Sequence, residues 1–87
     1  MTATFQTEIA EKGYNGWSNY QTWNVALWIG NDVCLYDLAH TISDYDELVN
    51  VLFMEYGVKE TRDGVKWNDP KINRRELNEL LEDFCYA

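Results

Sequence analysis

Carboxylates are the side chains of this sequence best suited to acid–base chemistry, and six of the 15 fall in two close groups. The first comprises Asp44, Asp46 and Glu47, and the second comprises Glu79, Glu82 and Asp83. A catalytic pair needs one carboxyl group removed from water so that its pKa rises. Both groups occur where helix starts and solvated helix faces are predicted. We therefore expect these carboxylates to face solvent and not to catalyse a reaction.

Other catalytic and metal-binding patterns are missing from the sequence. His40 is the only histidine, and it has neither a second histidine nor a nearby cysteine as a fellow ligand. Cys34 and Cys85 lack the Cys-x-x-Cys spacing, so we expect two reduced thiols that pack as small core residues. No glycine-rich phosphate loop and no hydrolase motif is present. We expect no enzyme, no metal and no cofactor.

The distribution of charge indicates the kind of partner. The 87 residues carry a formal net charge of −8, and residues 13–58 contain no Lys or Arg. Phosphates bind to clustered Lys and Arg, so we do not expect direct binding to nucleic acid. A basic surface on another protein is the favoured partner. The carboxylates predicted to bind it are Asp37, Asp44, Asp46, Glu47, Glu79, Glu82 and Asp83.

One tryptophan-rich stretch, residues 16–32, predicts the central helix of the fold. We place the helix at about 19–30, with a capping box of Ser18 and Gln21 at its start and a left-handed exit at Gly30-Asn31. Its apolar residues surround the helix, which predicts burial on nearly all sides. The predicted core residues are Trp17, Tyr20, Trp23, Leu27 and Trp28.

Two amphipathic helices are predicted to follow. Asn31-Asp32 can start a helix over about 33–42. Ser43 can start the next one, which has acidic residues in its first turn and ends at Gly57.

The last part of the chain predicts a hairpin and a fourth helix. An Arg62-Asp63-Gly64 turn between two β-prone runs is typical of a short β-hairpin. Asn73 can cap the last helix, with Glu76 closing a capping box and Ile72 packing on Leu77. The predicted fold is mainly α: four short helices around a Trp-rich core, with a short β-hairpin before the last helix.

The chain length predicts a single domain over residues 1–87, in which residues 1–15 form a loose arm. We find no signal peptide and no apolar run of the roughly 20 residues that a membrane helix needs. We therefore expect a cytoplasmic protein without a membrane partner.

The tryptophan-rich stretch also resembles a known family. It contains the pattern Gly16-Trp17-Ser18-Asn19-Tyr20-x-Thr22-Trp23-Asn24-Val25-x-Leu27-Trp28-Ile29-x-Asn31-Asp32. This pattern is similar to the signature of a family of small, acidic, uncharacterised proteins carried by bacteriophages and related mobile or bacterial genomes. The family is classified as a domain of unknown function. The resemblance therefore implies a compact phage-type protein and assigns no catalytic residue to this sequence.

Charge and resemblance together predict a non-enzymatic binding protein. Its acidic face would occupy the basic groove of a host polymerase, restriction enzyme or CRISPR effector and inhibit it as a DNA mimic. The alternative is an adaptor or structural protein that pairs through its aromatic surface, with the charge serving solubility only. The oligomeric state is left open by the sequence.

Overall fold

The computed structural model describes residues 14–86, and side chains through residue 84. Its four α-helices are α1 (Tyr20–Asn31), α2 (Val33–Ala39), α3 (Tyr45–Val51) and α4 (Arg74–Tyr86). A π-helical segment, Leu52–Tyr56, continues α3. The prediction of a mainly helical fold with four helices is confirmed. No helix within the described residues is both long and apolar enough to cross a membrane. Of the arm predicted over residues 1–15, residues 1–13 lie outside the described residues.

The ends of α1 differ from the prediction. Asn19 is the N-cap, and its side-chain oxygen accepts a hydrogen bond from the Thr22 N–H at 2.9 Å, so the Ser18-Gln21 capping box is wrong by one residue. The left-handed exit at Gly30-Asn31 is also wrong, because both residues lie inside the helix. Asp32 follows with an extended backbone (φ −93°), the conformation it needs as the N-cap of α2.

The burial of α1 is incomplete. Its buried residues are Thr22, Asn24, Val25, Ala26 and Ile29. Among the five predicted core residues, Trp17, Trp23, Leu27 and Trp28 are half-buried, and Tyr20 is 38% exposed.

The prediction that α1 is buried on nearly all sides is met only in part: α1 packs against α2, α4 and the loop that holds Thr61 and Asp63, and among the described residues Tyr20, Gly30 and Asn31 are exposed. Trp67, from the loop before α4, is 1% exposed and is the largest fully buried side chain among the described residues. It packs in the core with residues from every helix, including Ile29, Ala39, Leu48 and Leu77.

The starts of α2 and α3 are set by aspartates. Asp32 caps α2 by accepting from the backbone of Cys34 and Leu35. Asp44 caps α3 by accepting from the Glu47 N–H at 2.8 Å, so the prediction of Ser43 as the cap is wrong by one residue. The α2 helix ends at Ala39, short of the predicted boundary.

The predicted end of the third helical stretch is confirmed. Gly57 has the left-handed backbone conformation (φ 66°) and closes the π-helical segment, with its N–H donating to the Leu52 carbonyl.

The predicted β-hairpin does not form. Within the described residues, the chain from 57 to 73 holds one isolated bridge, between Glu60 and Lys66, and no strand. The Thr61 N–H donates to the Val65 carbonyl at 2.8 Å and closes a tight loop. A two-stranded ribbon with no third strand is marginal, and here the loop is held by side chains of α1 instead.

Candidate functional site

The seven carboxylates predicted to bind a partner are all exposed. They lie on three helices, and we call them the acidic surface: Asp37 on α2, Asp44, Asp46 and Glu47 at the start of α3, and Glu79, Glu82 and Asp83 on α4.

The start of α3 is joined to α4. The Tyr45 N–H donates to Oδ1 of Asn78 at 2.7 Å, and Asp46 Oδ1 lies 2.9 Å from Arg74 Nε. Glu82 follows Asn78 by four residues, which places it one turn further along the same side of α4. The structure therefore places the start of α3 against Arg74 and Asn78 of α4.

Tyr45 anchors the contact between the start of α3 and α4 to the core. Its ring is fully buried, and burial raises the pKa of its phenol well above the ordinary value, so the hydroxyl stays protonated. That hydroxyl donates to the Trp67 carbonyl at 2.5 Å. The α3 start thus sits on the rigid core, with its carboxylates directed outward.

The other members of the acidic surface lie on α4 and α2. Glu79 and Asp83 border a shallow cleft of about 300 Å³, whose other walls include Gly16, Trp17 and Leu80. Asp37 lies on α2, whose Tyr36 ring contacts Phe84 near the end of α4, with centroids 5.1 Å apart. The arrangement is a broad charged surface and not a closed pocket.

Ion pairing leaves most of this surface available. Asp46 is paired with Arg74, and within residues 14–84 the other six carboxylates form no ion pair with a basic side chain. Asp44 and Glu47 each accept one backbone hydrogen bond at the start of α3. Separate, exposed carboxylates of this kind can bind cationic groups, whereas acid catalysis would require a desolvated carboxyl group.

A second feature, which the sequence analysis missed, is the junction between the starts of α1 and α4. The Ser18 N–H donates to Glu76 Oε1 at 3.0 Å, and the Asn73 side-chain amide donates to Ser18 Oγ at 2.9 Å. The Asn73 N–H donates to Thr22 Oγ1 at 2.9 Å. Asn73 also caps α4 as predicted, accepting from the Glu76 N–H. The Glu76 carboxylate therefore bonds across to the start of α1, whereas the predicted capping box would turn it back to Asn73.

A third feature is a polar cluster on α1. Asn24 is fully buried, and its side chain bonds to both Thr61 and Asp63. The Trp28 indole N–H donates to the same Asp63 carboxylate oxygen at 2.9 Å. These hydrogen bonds lower the pKa of Asp63, the bond from Asn24 contributing most. The one sign of this cluster in the sequence was Asn24, a polar residue inside the apolar helix α1.

His40 and Cys34 complete the candidates. His40 is exposed, its Nδ1 lies 2.8 Å from the Tyr36 carbonyl, and its ring stacks on Phe84. Cys34 is exposed, so the prediction that it packs in the core is wrong; the side chain of Cys85 lies outside the described residues. Within the described residues, no group of three or more His, Cys, Asp or Glu could hold a metal ion.

The fold and its surface define a small helical protein with a broad array of exposed carboxylates. It belongs to the DUF7249 family, a family of unknown function, whose model matches residues 10–86. No curated protein and no solved structure gives a significant match to the chain.

Proposed function

We propose that this chain is a non-catalytic binding protein whose acidic surface docks on the basic surface of a nucleic-acid-handling protein and inhibits it. The observation that carries the proposal is the exposure of seven carboxylates, six of them without an ion pair among the described residues. An unpaired carboxylate gains from a partner's Lys or Arg without first losing a partner of its own.

The mechanism is competition for charge. Lys and Arg that ordinarily bind phosphates would bind the carboxylates of α3 and α4 instead, as on a DNA mimic. The net charge of −8 would steer the encounter with a basic partner, most strongly at low salt.

The resemblance of residues 16–32 to phage proteins suggests the partner class. It makes a phage-type origin part of the proposal, with action in the host cytoplasm on a polymerase, a restriction enzyme or a CRISPR effector. Family membership alone is neutral on this point, since the family is of unknown function.

A cluster of exposed rings favours a second candidate, an adaptor that pairs through aromatic contacts. Tyr14 and Tyr20 are 37% and 38% exposed, and both contact Trp23, with ring centroids 4.9 and 5.7 Å apart. Aromatic groups of this kind supply much of the energy of protein interfaces. In this candidate the negative charge serves solubility.

The two candidates differ in their response to charge reversal. The test variant is Glu79→Lys/Glu82→Lys, and the matched control is Glu55→Lys/Glu60→Lys, which changes the net charge equally away from the acidic surface. All four side chains are exposed, so we expect melting temperatures close to that of the unmodified protein.

The experiment captures partners from a lysate of the cell in which the protein is made and identifies them by mass spectrometry. A captured protein is then purified, and its binding to a DNA duplex is measured with increasing amounts of each variant. We expect the unmodified protein and the control to displace the duplex and the test variant to fail. Direct binding of the unmodified protein to the captured partner, measured without DNA, should weaken steeply between about 50 and about 500 mM salt.

Binding that persists at high salt and tolerates Glu79→Lys/Glu82→Lys would contradict the charge mechanism. If Tyr20→Ala abolished that binding, the adaptor function would replace charge competition as the proposal.

A further inference from the structure

A groove of about 340 Å³ lies between α2, the π-helical segment and the chain that follows it. Its volume falls in the range of sites that hold small molecules. Apolar residues from all three parts form much of its wall: Leu35, Leu38, Leu52, Tyr56, Val58 and Trp67. None of the seven carboxylates of the acidic surface lines this groove. The function proposed above therefore does not use it.

Trp67 belongs both to the core and to the wall of the groove, and it is 1% exposed. Its indole N–H is buried and has no hydrogen-bond acceptor among the described residues. Within that part of the chain it is the only buried side-chain nitrogen or oxygen without a partner. A buried donor without an acceptor costs stability, so such groups are rare in folded proteins. A molecule in the groove can supply the missing acceptor.

Hydrogen bonds hold the wall of the groove in place. The Trp67 backbone is fixed on both sides, because its N–H donates to the Lys59 carbonyl at 3.1 Å and its carbonyl accepts from the Tyr45 hydroxyl. The Val58 N–H donates to the Leu52 carbonyl at 2.9 Å, where the π-helical segment ends. A ligand would not have to order this wall on binding, and preorganisation of this kind favours affinity.

The charged residues of the groove do not favour a charged occupant. Asp32 and Arg62 pair at 3.7 Å, and Asp32 also accepts from the backbone at the start of α2. Glu60 is exposed to water and follows Lys59 directly in the chain. A charged molecule would lose hydration against the apolar wall and gain little from these groups. An uncharged molecule fits the groove better.

Aromatic side chains indicate the shape of the occupant. Trp28, Tyr56 and Trp67 all line the groove. Aromatic rings bury a large area and pack favourably against other rings. The Trp28 indole N–H already donates to Asp63 at 2.9 Å. Of the two indole N–H groups at the groove, that of Trp67 alone lacks an acceptor among the described residues.

We propose that the groove binds a small, uncharged aromatic molecule with one hydrogen-bond acceptor, such as a carbonyl oxygen, to which Trp67 Nε1–H donates. The ring of this molecule packs against Leu35, Leu38 and Tyr56. Because no residue of the acidic surface takes part, the proposal stands whether or not that surface binds a nucleic-acid-handling protein.

The test uses two compounds of the same planar shape. Acetophenone carries a C=O group, and isopropenylbenzene carries C=CH₂ in its place, so only acetophenone offers an acceptor. Each compound is titrated into the isotope-labelled protein, and its dissociation constant is measured from the amide chemical shifts. We expect both compounds to shift the amide signals of Leu35, Leu38, Tyr56 and Val58.

The indole N–H signal of Trp67 reports the hydrogen bond itself. It is assigned on the unmodified protein through the backbone of the labelled chain. Acetophenone should move this signal downfield, because the N–H gains an acceptor, whereas isopropenylbenzene should not. This measurement needs no variant, so it decides the question even if a tryptophan substitution disturbs the fold.

Two variants test the donor through the ratio of the two dissociation constants, isopropenylbenzene over acetophenone. In Trp67→Phe this ratio should fall roughly three- to tenfold, which corresponds to the loss of one hydrogen bond. Trp28→Phe is the matched control, because it removes the other indole of the groove, whose N–H is bonded to Asp63, and it should leave the ratio unchanged. The ratio cancels any change in the groove that affects both compounds alike.

Three results would overturn the proposal. If acetophenone shifted no amide signal around the groove, the groove would not hold a molecule of this class. If the Trp67 indole signal stayed in place at saturating acetophenone, the carbonyl would not accept from it. If the ratio in Trp67→Phe equalled that of the unmodified protein, the preference for the carbonyl compound would not come from Trp67.

Discussion

The side-chain amide of Asn24 donates to Asp63 Oδ2 over 2.7 Å, joining the middle of α1 to a loop 39 residues further along the chain. The carbonyl oxygen of the same amide accepts from Thr61 Oγ1 at 2.7 Å. Asn24 and Thr61 are both buried. The loop is therefore held by a satisfied polar cluster in place of strand pairing. From this fixed position Thr61 lines the groove of about 340 Å³ between α2, the π-helical segment and the chain that follows it.

Removing the Asn24 amide should loosen that loop. Asn24→Ala leaves the buried Thr61 hydroxyl without its acceptor, and such a loss costs about 1–3 kcal/mol of unfolding free energy. The measurement is the urea midpoint followed by circular dichroism. Asn50→Ala, at an exposed position of α3, is the control and should change stability by less than about 0.5 kcal/mol. Equal midpoints for the two variants would show that the cluster does not hold the loop.

Asp63 should make stability depend on pH at the acidic end. Hydrogen bonds from Asn24 and Trp28 lower its pKa in the folded state, so its stabilising contribution is complete above the ordinary aspartate pKa of about 3.9. The contribution is lost as the pH falls through the lower, folded-state pKa.

Asp63→Asn is the variant that tests this dependence. It should be less stable than the unmodified protein at pH 7, and the gap between their urea midpoints should close below about pH 4. A constant gap from pH 7 to pH 2.5 would exclude a role for the Asp63 charge. The carboxyl carbon shift of Asp63 gives its folded-state pKa directly.

The junction between α1 and α4 depends on a buried threonine. Thr22 Oγ1 accepts the Asn73 N–H, and Thr22 is fully buried. Thr22→Val keeps the shape but leaves that N–H unpaired, so we expect a loss of about 1–3 kcal/mol. Thr41→Val is the matched control, because Thr41 is exposed and its hydroxyl, among the described residues, bonds to the carbonyl of Leu38 alone. A loss no larger than in the control would mean that the two helix starts are not coupled.

The positions of the helices could be predicted from the sequence. The predicted N-caps of α1 and α3, however, were each one residue too early. Asn19 follows Ser18, and Asp44 follows Ser43, and each of these side chains is a good cap. Which of the two neighbours caps the helix depends on hydrogen bonds to other elements. At the start of α1, the Ser18 N–H donates to Glu76 on α4. That partner is 58 residues away, so local sequence could not reveal it.

The acidic surface was predictable in a simpler way. Runs of carboxylates at helix starts and on outer helix faces are exposed wherever the helices pack, and all seven are exposed in the structure. The groove was not predictable, because its walls come from α2, the π-helical segment and a loop without apolar periodicity. Trp67 in that loop is buried for the same non-local reason.

The two tryptophans Trp67 and Trp23 should respond differently to truncation. Trp67 is 1% exposed and packs in the core, so Trp67→Ala should cost about 3–5 kcal/mol and unfold much of the protein. Trp23 is half-buried and contacts the exposed Tyr14 and Tyr20 with tilted rings, so Trp23→Ala should cost less. No described residue accepts from the Trp67 indole N–H, so Trp67→Phe loses no hydrogen bond and should retain most of the stability. Thermal melts of the three variants give the order directly. A Trp23→Ala protein less stable than Trp67→Ala would move the centre of the core from the loop before α4 to the outer side of α1.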